Sequence, residues 1–128
     1  MLPTFFPARR RVRRKRRVVV APIAPLVVTG VVYVNDLGTF LEVQLGVNTT
    51  EAQPLLDASG ASPAKWSARM NDKLFTGISV TTDGFDRLLL FLEQTGEEAG
   101  EDEISYAAPS DIEDSLGREL ETFEDLPL

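Results

Sequence analysis

The chain has 128 residues, a formal charge of -7, and neither Cys nor His. The missing thiols exclude a disulfide framework and a thiolate metal site, and the missing imidazole removes the side chain most used for acid–base work near neutral pH. Composition therefore argues against an enzyme and requires a body held by apolar packing, of a size for one domain.

The charge is unevenly divided. Residues 1–17 hold eight basic and no acidic side chains, whereas residues 18–128 hold five basic and twenty acidic ones, so an arm of +8 is joined to a body of -15. Within the arm, "MLPTFFP" offers an apolar tip of Leu2, Phe5 and Phe6 between Pro3 and Pro7, suited to plugging a pocket. The basic run follows as Arg9, Arg10, Arg11, Arg13, Arg14, Lys15, Arg16 and Arg17. A solvated tail is the plain reading of such a block, since like charges repel and bury nothing. Nucleic-acid binding is opposed by the acidic body and by the lack of aromatics among the arginines. Docking on an acidic protein surface uses both halves of the chain, through paired guanidinium–carboxylate contacts.

After the basic run, "VVVAPIAPLVVTGVVYV" superficially resembles a signal peptide or membrane anchor. It carries Pro22 and Pro25 and is shorter than a span of about 20 residues. It is expected instead to be an extended linker with Val18, Val19 and Val20, leading into a strand. Residues 1–25 thus form an arm that stays on the mature protein, and extended at about 3.3 Å per residue they reach roughly 80 Å.

Beyond Pro25 the pattern is β. "FLEVQLGV" alternates Leu41, Val43, Leu45 and Val47 against Glu42 and Gln44, the period of a half-buried strand. Strands are expected at 26–34, 39–47, 65–70, 74–82, 87–94, 103–107 and 118–124. Reversals fall at "NDLG" (35–38), "ND" (71–72) and "TDGFD" (82–86), a long connection at 49–63 with one helical turn, and an acidic loop at 95–103. "RLLLFLE" puts Leu88, Leu90 and Leu92 on one face and Leu89 and Phe91 on the other; if the first trio fills the core, the second pair faces outward, to be covered by the linker valines or by another subunit. Trp66 is read as the core aromatic. Seven short strands within residues 26–128 predict an all-β, immunoglobulin-like antiparallel sandwich.

The acidic segments hold many carboxylates, and Glu97, Glu98, Glu101, Asp102 and Glu103 carry the oxygens that Ca²⁺ prefers. "DIEDSLG" lacks the spacing of a calcium loop, and no Gly-rich phosphate loop is present. These groups are read as a solvated face; no metal and no cofactor is expected.

The order "LEVQL", "KWSARMND", "GISVTTDGFDRLLLFLEQ", "EDEISYAAPSDIEDSLGRELETF" resembles the bacterial Ig-like repeat of the cyanobacterial swimming-motility protein and of large surface adhesins. Ile104, Tyr106 and Pro109 match the repeat's penultimate strand, and Ile112, Asp114, Gly117 and Phe123 its closing segment; Arg118 stands where that family usually has Asn. The resemblance covers about residues 26–125. It implies the sandwich and little about function, which lies in sites rather than folds. The layout of Arg-rich arm, Pro-containing linker and single sandwich is similar to small tailed-phage virion proteins. That likeness implies a non-enzymatic protein decorating or cementing the capsid, with the major capsid protein, other virion proteins or neighbouring copies as partners. The alternatives are a cell-surface or tail-associated adhesin-type module recognising carbohydrate or protein and, third, DNA binding through the arm.

Overall fold

The computed structural model describes residues 24–49, 53–58 and 60–128. Within them lie seven antiparallel strands: β1 Val28–Asp36, β2 Phe40–Val47, β3 Trp66–Met70, β4 Lys73–Thr82, β5 Arg87–Glu97, β6 Glu103–Tyr106 and β7 Phe123–Pro127. They hydrogen-bond in the order β1-β2-β5-β4-β3-β6-β7, one sheet curled into a half-barrel. The all-β antiparallel expectation holds.

Burial of one face explains the strands. In β2 every second residue is buried, and its Leu41, Val43 and Leu45 stand opposite Leu92, Leu90 and Leu88 of β5. These leucines and valines join Trp66, Phe75, Ile104 and Tyr106 in one core to which both ends of the sheet contribute. Burying each such side chain fully stabilises the fold by about 1.5–3 kcal/mol relative to exposure.

β4 makes the curl. It pairs with β5 along its whole length and with β3 over Lys73–Thr76, and its register with β5 shifts near Leu74 and again around Gly77. Such bulges bend and twist a strand. At the second bulge Gly77 packs on the 3₁₀ turn Pro63–Lys65, where an added Cβ would overlap the Pro63 carbonyl. Gly77→Ala should therefore destabilise the domain by about 1–3 kcal/mol, as overpacking against backbone does. A thermal melt within a degree of wild type would contradict this contact.

The last strand differs from expectation. Residues 118–124 were expected to form it, but Leu120 is occupied with Ile112 and with a parallel bridge to Leu26, so β7 starts only at Phe123. The first strand likewise starts at Val28 rather than 26, because Leu26 lies in that bridge. β5 runs three residues beyond the expected end at 94, which shortens the acidic loop. A 3₁₀ turn, Pro63–Lys65, begins at the last residue of the connection expected over 49–63 and delays β3 to Trp66.

Candidate functional site: the root of the basic arm

The described residues begin at Ala24, ahead of β1. Leu26 is fully buried, and its carbonyl accepts the Glu121 N–H at 2.8 Å. Asn48 clasps the segment from the other side: its Oδ1 accepts Val27 N–H at 2.8 Å and its Nδ2 donates to Pro25 O at 3.0 Å. Ala24 itself is held by Arg118, whose Nη1 donates to its carbonyl at 3.1 Å.

Arg118 is positioned by a tight turn. The carboxylate of Asp114, wholly removed from solvent, accepts the N–H groups of Leu116 and Arg118 at 3.0 Å each on Oδ1 and the Arg118 Nε at 2.7 Å on Oδ2. Gly117, at φ +80°, supplies the left-handed residue that this turn needs. Burial pushes the Asp114 carboxyl up, but the Arg118 guanidinium and the two N–H donors outweigh it and hold the group below its ordinary value. Thus Arg118 neutralises a buried carboxylate and grips the Ala24 carbonyl. Sequence reading noted the departure at Arg118 without assigning it a role; the signal was an Arg beside an Asp-x-x-Gly turn.

The expected arm contacts Leu2, Phe5, Phe6, Arg9, Arg10, Arg11, Arg13, Arg14, Lys15, Arg16, Arg17, Val18, Val19 and Val20 lie outside the described residues. Leu89 and Phe91 lie on the outward side of β5, each half-buried, opposite Gln44 and Glu42 of β2. Phe91 stacks on Phe40 with centroids 5.2 Å apart, so part of its cover comes from within the sheet.

The acidic stretch after β5 is tied to one cation. Arg69 donates to Glu98 at 3.0 Å, to Glu103 at 2.7 Å and to the Glu101 carbonyl at 3.1 Å, while Asp102 accepts the Asn71 N–H. Among the described residues no group of three or more acidic side chains is arranged to hold a metal ion, and no helix is long and apolar enough to cross a membrane. No protein-family model, curated protein or solved structure matches the chain.

Proposed function

We propose that this is a non-enzymatic virion protein that decorates or cements a phage capsid, its basic arm lying on an acidic face of the shell while the acidic body projects outward. The observation that carries the reading is the division of charge at a clamped root: +8 on one side of Ala24, -15 in the body, and a junction held by Arg118 and Asn48. A body of that sign opposes DNA phosphates, whereas guanidinium groups pair with carboxylates in two parallel hydrogen bonds.

The finer fold belongs to the same proposal. Lettered in chain order, the sheet reads A-B-E-D-C-F-G, the two-sheet order of an immunoglobulin constant-type domain joined through its D and C strands. Trp66 on the third strand packs on Tyr106 of the sixth, where that fold places its buried Trp. Both support the Ig-like reading.

The test is co-expression with the shell protein encoded nearest its gene. Replacing the seven arm arginines by Ser should abolish incorporation into particles without changing the melting curve. Wild-type binding should weaken with salt, since exposed charge pairs are screened within about 8–10 Å. Unchanged incorporation of the variant lacking the arm arginines would refute docking through the arm.

A further inference from the structure

The outer face of β4, β3, β6 and β7 is hollow. Thr76, Ser67 and Ser105 stand opposite one another across β4, β3 and β6, and the Asp125 N–H on β7 donates to Ser105 Oγ at 3.0 Å. Over these short side chains two open depressions, about 260 and 560 Å³, meet at Ser67, Ser105 and Asp125. The result is a trough crossing the sheet with a hydroxyl floor.

Its walls carry more negative than positive charge. Glu103 lines the trough beside Asp125, and hydrogen bonding to Asp125 together with burial holds the Glu103 carboxyl above its ordinary value, despite the Arg69 partner at 2.7 Å. Asp125 stands at φ +58°, a left-handed conformation that Asp and Asn adopt more readily than other non-Gly residues. Glu103 and Asp125 thus line the same depression as one guanidinium, which pairs with Glu103 and is already shared with Glu98.

We propose that this trough receives the Arg-rich segment 9–17 of a second copy of the chain, so that copies join head to tail. The proposal rests on the reading of the arm as a protein-docking element, and adds a second acidic surface for it. Arg69 shows which cation chemistry the wall accepts, and the arm supplies seven further guanidinium groups with a charge opposite to that of the body.

The direction of the root selects a second copy over the arm's own domain. Leu26 and Leu120 form a parallel bridge, with Ala24 level with Arg118. Traced backwards from Leu26 to Ala24, the described chain thus runs against the direction of residues 118–120, which lead on to β7 and the trough. The 23 residues before Ala24 extend to roughly 75 Å, whereas a domain of this size has a radius of gyration of about 13 Å, so a neighbour lies well within reach. A contact between an arm and a trough on different faces is heterologous, and propagates until a ring closes or a surface stops it.

Sedimentation velocity of the full chain at low salt tests this. Wild type should pass beyond dimer as concentration rises. One variant removes the trough charge (Glu103→Gln with Asp125→Asn), and another removes arm charge (Arg13→Ser, Arg14→Ser, Arg16→Ser and Arg17→Ser). Each alone should associate about tenfold or more weakly. Mixed together they should form one-to-one dimers, because one copy keeps its arm and the other its trough. If the trough variant melts early, Ser67→Lys, at an outward strand position, blocks the floor instead and should give the same result. Three outcomes overturn the proposal: a wild type that stays monomeric throughout, association that survives in both trough variants, or a mixture no larger than its parts. Monomeric wild type with arm-dependent incorporation into particles would sink the trough alone. Failure of both experiments would sink the arm reading itself.

Discussion

Trp66→Ala should lower the unfolding free energy by about 3–5 kcal/mol, the usual cost of emptying a large aromatic site in a core. Trp66 is fully buried, stacks on Tyr106 with centroids 4.2 Å apart and meets the edge of Phe123 at 5.9 Å. It joins β3 to β6 and β7, so the cavity would lie where three strands share one aromatic cluster. Against a total stability of about 5–15 kcal/mol for a small domain, the loss should bring the melting temperature down by well over 10 °C. Trp66→Phe separates packing from polarity. The Trp66 indole N–H is buried without a hydrogen-bond partner among the described residues, a cost of about 1–3 kcal/mol that Phe removes. Phe should therefore be much better tolerated than Ala. Equal melting of the two variants would mean that the ring stack contributes little.

Asp114→Ala should be of similar size, about 3–5 kcal/mol, because it removes one partner of a buried ion pair and strands the other. The Arg118 side chain is only 14 % exposed and donates Nε to Asp114 at 2.7 Å. The N–H groups of Leu116 and Arg118 would lose their acceptor as well. Asp114→Asn, which keeps an amide oxygen for those donors, should cost less than Ala. The pH dependence follows from the direction of the shift. With its folded pKa depressed, Asp114 contributes stability that is present above its unfolded pKa of about 4 and is lost as pH falls through the lower folded value. Asp111 acts in the same sense: burial raises it, but the Ser62 N–H, the Tyr106 hydroxyl and Lys65 outweigh that. Denaturant unfolding from neutral pH into acid should show stability falling below about pH 4 in wild type and falling less steeply in the Asp114→Asn protein. Parallel acid limbs would contradict the assigned pair.

The alternation of Leu41, Val43 and Leu45 against Glu42 and Gln44 determined by itself that this segment would be a strand and which of its sides would be buried, whereas "RLLLFLE", apolar on both sides, read as a strand without its buried side being fixed. One-sided burial writes a period of two directly into neighbouring residues, and β2 and β5 lie within three residues of where that period places them. The uneven charge of the chain was equally legible, being a matter of composition. Arrangements that depend on residues distant in the chain could be decided only by the tertiary structure. Residues 118–122 read locally as part of the last strand, yet Leu120 pairs with Ile112 and Leu26, so β7 begins later. Arg118 read as an unexplained departure until folding brought Ala24, 94 residues away, against its guanidinium. The acidic stretch read as a uniform solvated face, but Arg69, some thirty residues earlier, draws in Glu98 and Glu103, and β7 sets Asp125 beside Glu103. Periodicity records whether a side chain is covered; which partner covers it is set by strand order, through contacts that leave no local pattern.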